Sequence, residues 1–425
     1  MNKFLKKIRS NTYLLQIMTL MSGTLMAQIV SFAFIPIMSR LYTPSEFGLY
    51  SIFFALSSMI GMVSSLNYEQ AIMLPKSNRD AQALVFLSIL VTISIVSILV
   101  IVLSIFYDFF LDYFKGYSYL IWILPISTLV IGLMQIFDAY STRKEFYKKI
   151  ATTKVIASFT TVAIQAISRY RFNLNGLVVG KVISDMLAVF LLISFNIKKQ
   201  TLQLKYLSKR RVKANIKRYE NFPKYQSPST LINSFSQNIP LLMFASLFSP
   251  AISGFYSLTY RAMQTPLSLV SNSTRSVFYQ KASKMYANRE DLYPLYMKTT
   301  LALLKLFIIP LVVILFFGED LFVFVFGQEW SQSGVIAQIV IFWFLFGFIS
   351  PPTTVMFNIY GLQRVRLIIQ IVTLVFRVLA IYAGYYFYGS YIVSLILFVI
   401  VGVLHNGGVM IYIYKKIEEK RREIV

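Results

Sequence analysis

Cysteine is absent from the chain, and histidine occurs once, as His405. Without cysteine there are no disulfides, no Cys-ligated zinc and no iron–sulfur cluster. One histidine cannot furnish a multi-histidine metal site, and no HExxH occurs. No P-loop is present, which speaks against ATP hydrolysis by this chain. The aspartate pairs typical of sugar transfer are not found on any sizeable hydrophilic domain, and no cofactor is implied. Acidic residues are few, 17 against 41 Lys and Arg, giving a formal net charge of +24. That excess does not point to nucleic acid, because most of it lies in short segments between apolar runs.

What the chain has in abundance is apolar sequence. It is 57% hydrophobic, with a mean hydropathy of +0.65. Runs long enough to span a bilayer as helix recur throughout, at about 20 residues each. They do not alternate apolar and polar residues, which excludes a transmembrane barrel. The expected fold is an all-α polytopic membrane protein of about twelve spans. In the first half these are 13–38, 47–72, 83–106, 118–139, 150–170 and 175–195. In the second they are 226–248, 253–279, 299–317, 333–357, 365–387 and 390–414. Lys3, Lys6, Lys7 and Arg9 precede the first run. No small-residue cleavage site follows, so the run reads as a retained first helix rather than a signal peptide. The 16% aromatic content is absorbed by lipid-facing and interfacial positions.

Charge orients the spans. With the N-terminus in the cytoplasm, 31 of the 41 basic residues fall on inner segments. Only Arg40, Lys115, Arg169 and Arg171 fall outside. Asp108, Asp112, Glu319, Asp320 and Glu329 fall on outer loops of no more than about a dozen residues. The positive-inside rule then puts both termini in the cytoplasm. The longest hydrophilic stretch, 196–225, contains KRRVKANIKR and reads as a solvated linker that touches anionic headgroups.

The chain echoes itself. Leu41-Tyr42-Thr43-Pro44 with Gly48, Tyr50 and Ser51 matches Leu247-Phe248-Ser249-Pro250 with Gly254, Tyr256 and Ser257, 206 residues later. Six spans separate the echoes, so the repeats share one orientation. Two six-helix lobes are expected, 1–210 and 211–425, with a central cavity opened alternately to each side.

Charges inside a bilayer cost a few kcal/mol each and default to cavity or pairing roles. The acidic ones are Glu69, Asp138 and Asp185; the basic ones are Lys154, Lys181, Arg261, Arg275, Lys305 and Arg377. The basic excess suggests a cationic cavity for an anionic substrate. Arg261 and Arg275 are about four helical turns apart, roughly on one face and about 21 Å apart along the axis. Guanidinium groups bind phosphate bidentately, so such a ladder suits a travelling diphosphate, with Lys154, Lys305 and Arg377 as further candidates. The bland alternative is that each arginine snorkels to its nearer headgroup layer. Arg40, just beyond the first span, is an anchor for headgroups or a guard of the outer mouth. Lys181 and Asp185, spaced i and i+4, read as a structural pair. Glu69 is open between a coupling proton carrier and a salt-bridge partner. Asp138 reads as interfacial and His405 as a packed core residue, while Asp138 and Asp185 stand beside Glu69 as further coupling candidates. Gly176 and Gly180 form a weak signal for close helix approach.

Residues 40–77, with RLYTPSEFGLYS and then LNYEQAIMLPKS, resemble the bacterial polysaccharide-synthesis family of oligosaccharide flippases. That family lies within the multidrug/oligosaccharidyl-lipid/polysaccharide exporter superfamily. Phe222–Ser283 and VFGQEWSQSG at Val325–Gly334, followed by Pro351-Pro352, are similar to the same family. The resemblance implies two six-helix lobes in a V shape in the bacterial inner membrane. It implies a substrate of undecaprenyl-diphosphate-linked oligosaccharide, an O-antigen unit or relative, moved from the cytoplasmic to the periplasmic leaflet. Membrane lipids and the polysaccharide polymerase and chain-length machinery are the implied partners; nucleic acid is not. Two alternatives stand beside this reading. A cation or drug antiporter of the same superfamily would favour an acidic cavity, and the charge count runs the other way. An O-antigen polymerase or ligase would typically carry a large periplasmic loop, which this chain lacks.

Overall fold

The computed structural model describes residues 12–171, 176–201 and 209–424. Lys3, Lys6, Lys7, Arg9 and Lys205 of the inner charge set lie outside these, and no side-chain placement is described for Arg171 or Lys209. No strand occurs among the described residues. The chain divides into two compact units, Met1–Tyr42 with Leu49–Asn238, and Thr43–Gly48 with Ile239–Val425.

The first unit holds α1 (Thr12–Ala33), α2 (Ile35–Leu41), most of α3 (Pro44–Gly61), α4 (Tyr68–Ala71), α5 (Asn78–Ile105) and α6 (Tyr107–Tyr113). There follow α7 (Ser118–Arg143), α8 (Tyr147–Arg171), α9 (Gly176–Lys198), α10 (Lys209–Arg218), a π-helical turn at Phe222–Gln226 and the start of α11 (Ser227–Leu247). The second unit continues with α12 (Pro250–Ala287), α13 (Tyr293–Phe326), a 3₁₀ turn at Gln328–Trp330, α14 (Ser331–Ile349), α15 (Pro351–Ile359), α16 (Gln363–Tyr388) and α17 (Tyr391–Ile424).

Among the described residues, nine helices are long and apolar enough to cross a membrane by length and composition. The protein is thus a multi-pass membrane protein. Three expected spans are not among the nine: 47–72, 226–248 and 253–279. α11 and α12 carry too much Ser, Thr, Asn and Gln to qualify. The span at 47–72 is broken. α3 stops at Gly61, a run of turns follows, and Leu66 and Asn67 take left-handed φ of 51° and 58° before the four-residue α4. Ser64, Ser65 and Asn67 favour turns by bonding nearby backbone, and Asn tolerates the left-handed region.

In the first unit α8 packs against both α1 and α9, and α7 packs against α5 and α9. Small residues set these approaches: a side chain at Gly180 would meet the backbone of Gln165, and one at Gly23 would meet Ala151. With no water in the bilayer core, polar side chains bond across helices. Gln165 donates to the Leu177 carbonyl at 2.8 Å, and Asn196 donates to Ser141 Oγ at 3.0 Å. Where α4, α5 and α7 meet, Tyr68, Ile72, Leu84, Ile136, Tyr140 and Tyr219 form a buried cluster.

The second unit is built around α14, half of whose span is buried; it packs against α12, α13 and α17. The echoed motifs meet here. Thr43 Oγ1 and the Thr43 N–H both bond the Glu46 carboxylate, and the Glu46 N–H returns to Thr43 Oγ1, a capping box that starts α3. Ser249 caps α12 by accepting from the Ile252 N–H at 3.3 Å. The two helix starts lie back to back. A Cβ on Gly48 would strike the Pro250 carbonyl, and one on Gly254 would strike the Pro44 carbonyl. Trp330, fully buried, stands edge-on to Phe47 at 5.0 Å and to Phe255 at 5.9 Å.

Gly254→Val should therefore cost about 3 kcal/mol or more, since rigid backbone faces the added atoms. Gly347→Ala and Gly408→Ala, which open onto free space, should be near neutral. Thermal unfolding of the detergent-purified protein reads both.

Candidate functional site

The sequence singled out nine charged residues, and the two units treat theirs differently. In the first unit the intramembrane ions are matched. Lys154 of α8 reaches Asp138 of α7 at 3.8 Å. Lys181 bonds Asp185 one turn along α9 at 2.5 Å and lies over the Phe54 ring at 5.7 Å. Glu69 is 4% exposed, and its carboxylate accepts from Ser65 Oγ and, at 3.2 Å, from Asn67 Nδ2. Among the described residues it makes no ion pair. Arg40 closes α2, exposed and engaged in an interaction of its own.

Arg143, counted in the sequence only as an inner-loop charge, turns out to be structural. Its guanidinium donates to the carbonyls of Ile72, Met73 and Pro75 at 3.0, 3.1 and 2.6 Å, holding the turn after α4. Lys144 beside it donates to Asn78 Oδ1 at 3.1 Å. Burial, then the neighbouring Arg143 charge, pulls the Lys144 ammonium below the ordinary lysine range.

In the second unit α11, α12, α14, α15 and α16 contain no acidic residue at all. Yet α12 carries Arg261 and Arg275, and α16 carries Arg366 and Arg377. Arg261 is half-buried and engaged; Arg275 is exposed, four turns further along the same continuous helix. Arg366 lies within electrostatic range of Arg275. Around Arg275 the helix exposes Asn272, Ser273 and Ser276, and the hydroxyls of Ser273 and Ser276 donate to the Leu269 and Asn272 carbonyls. Such a polar exposed face suits water rather than lipid.

Arg377 is housed by aromatic rings. Its guanidinium sits 5.3 Å from the Trp343 centroid and 5.2 Å from that of Phe398, with Tyr256 and Tyr260 in electrostatic range. Ring faces stabilise a desolvated cation. Gly402 gives Trp343 its room. His405 of α17 lies within range of both Arg366 and Arg377, and its Nδ1 is 2.6 Å from Thr373 Oγ1. Lys305 is apart from this group, exposed on α13 beside Leu301, Leu306, Ile308 and Ile309.

The sequence reading missed Arg366, which it placed in an inner loop, and Thr373. The signal was present in the heptad-like spacing of Arg366, Gln370, Thr373 and Arg377, which puts four polar residues on one helix face.

A family model described as "Polysaccharide biosynthesis protein" matches residues 37–335, well over half of the chain. No curated protein matches by sequence. Among solved structures, the fold is similar to the lipid II flippase MurJ in an inward closed conformation. The TM-score is 0.76 at 15% identity, over 94% of this chain and 89% of that one. An inward-facing multidrug resistance MATE family transporter of the MOP superfamily gives 0.74 at 13% identity, over 94% and 96%. A MOP superfamily transporter from Pyrococcus furiosus, described as having a binding pocket of reverse polarity, gives 0.56 at 14% identity, over 96% and 95%.

If the Asp138–Lys154 pair is structural, Asp138→Asn should lower stability by about 1 kcal/mol, because the pair is partly exposed. Adding Lys154→Gln should restore the lost stability, a recovery measured by a double-mutant cycle.

Proposed function

The chain belongs to the polysaccharide biosynthesis protein family and has the fold of MOP-superfamily transporters, and from this premise we propose that it flips a lipid-linked oligosaccharide across the bacterial inner membrane. The substrate is an oligosaccharide unit on undecaprenyl diphosphate, taken from the cytoplasmic to the periplasmic leaflet by alternating access. One observation carries the reading: Arg275 and Arg366 lie in range of each other on helices that hold no carboxylate. Two guanidinium groups without acidic partners are stable together when an anion joins them, and a diphosphate matches their fork geometry.

The remaining roles follow from chemistry. Arg261 sits on the same helix as Arg275 and extends the cationic path. The hydroxyls and amides of α12 suit sugar hydroxyls, and the polyprenyl tail stays in lipid. Lys154 is matched by Asp138, and Lys305 stands apart, so both are weaker candidates for the diphosphate. A membrane potential negative inside favours outward movement of an anion by about 2.3 kcal/mol per charge per 100 mV. Glu69, which makes no ion pair among the described residues, is our candidate for proton coupling; Asp138 and Asp185 already face lysines. The likeness to a multidrug transporter keeps one second reading in view, a cation antiporter. The acid-free helices α12, α14, α15 and α16 favour an anion instead.

Arg275→Ala should abolish surface polysaccharide at normal protein levels, with Arg275→Lys retaining a fraction. Full export by Arg275→Ala would remove this residue from the site. Glu69→Gln keeps a hydrogen-bonding side chain but cannot release a proton, and is expected to slow export about tenfold; wild-type export would exclude it from coupling.

A further inference from the structure

The polar residues of α16 from Arg366 to Arg377 all fall on one face. Arg366, Gln370, Thr373 and Arg377 are spaced i, i+4, i+7 and i+11, and every other residue between the two arginines is apolar. The opposite face, Ile368, Val372, Val375 and Leu379, is exposed and suited to lipid. A helix that dips one polar ladder into protein and one apolar face into lipid is built to present the ladder.

Hydrogen bonding fixes the middle of the ladder. The Thr373 hydroxyl donates its one proton to the Ile369 carbonyl at 2.7 Å. Its oxygen then has only lone pairs to offer His405, so Nδ1 of His405 carries the hydrogen of the 2.6 Å contact. In a neutral ring this leaves Nε2 as an acceptor. The charged groups near the imidazole are Arg366 and Arg377, both donors. At one end Arg366 lies within electrostatic range of Arg275 of α12. At the other, Arg377 rests on Trp343 and Phe398, and its Nε has no acceptor. Along the helix the two arginines are about 16 Å apart.

We propose that this face of α16 carries two successive anion stations, Arg366 with Arg275 and then Arg377, with His405 Nε2 between them accepting a hydroxyl of the sugar next to the diphosphate. The proposal rests on the diphosphate reading above and deepens it. A diphosphate esterified at both ends has two negative charges and no O–H of its own, so guanidinium groups hold the phosphates. A hydrogen that the ligand donates to Nε2 must then come from the attached sugar. The ladder sought on α12 is thus completed by α16, and each step moves the anion from one acid-free cation to the next.

Calorimetry on the detergent-purified full chain tests this with two probes, inorganic pyrophosphate and a farnesyl diphosphate carrying one hexosamine. Pyrophosphate should bind the wild type at two sites, and Arg366→Gln and Arg377→Gln should each leave one. Arg377→Lys, which keeps the charge over the rings if the glutamine variant does not fold, should retain both sites with the second weakened about tenfold through loss of the fork. His405→Ala should weaken the sugar-bearing probe about five- to tenfold and leave pyrophosphate unchanged. A single pyrophosphate site in the wild type overturns the ladder. If that site disappears with Arg275→Ala, the diphosphate reading stands without the ladder; if the wild type binds no pyrophosphate, both fall. Equal weakening of both probes by His405→Ala removes the sugar contact.

Discussion

Charge inside apolar helices is the constraint on which this architecture turns. An ion withdrawn from water needs an opposite charge, hydrogen-bond partners or an aromatic face, and each unit answers differently. The first unit answers internally: Asp138 faces Lys154, Asp185 faces Lys181, and the Glu69 carboxylate is held by Ser65 and Asn67. The second unit leaves carboxylates out of α11, α12, α14, α15 and α16 while keeping arginines on two of them. The imbalance is localised to the helices where an anionic substrate would be handled.

The echoed Pro-and-Gly motifs pack against each other within the second unit. Each copy starts a helix through its own cap, Thr43 with Glu46 in one and Ser249 in the other. Each supplies a glycine that lets the other's proline carbonyl approach. Trp330 then fills the space beside Phe47 and Phe255. The result is that six residues from the first half, Thr43–Gly48, are built into the second unit. Local capping and close backbone approach agree here, which is what holds so short a segment within the second unit.

Much of this was legible in sequence, for reasons that differ by element. Long apolar runs announce spans because a bilayer sets their length. The i, i+4 spacing announces Lys181–Asp185 because helix geometry alone brings them together. The break after Gly61 was not read, although Ser64, Ser65 and Asn67 carry turn chemistry; hydrophobicity averaged over a window hides three polar residues. Asp138–Lys154 joins two helices, and pairing between elements depends on packing that no spacing records. Arg366 was misplaced for a related reason. Next to Arg364 it looks like loop charge, and only the face shared with Gln370, Thr373 and Arg377 shows that it points with the ladder.

The central claim is that this chain moves a lipid-linked sugar between leaflets. The most direct measurement is the amount and sidedness of that lipid in a strain lacking the protein, by mass spectrometry and by enzymatic probing of membrane vesicles of defined orientation. A single-unit lipid that accumulates and stays on the cytoplasmic face is the predicted result. The same lipid reaching the periplasmic face unpolymerised would contradict the account and place the missing step after translocation.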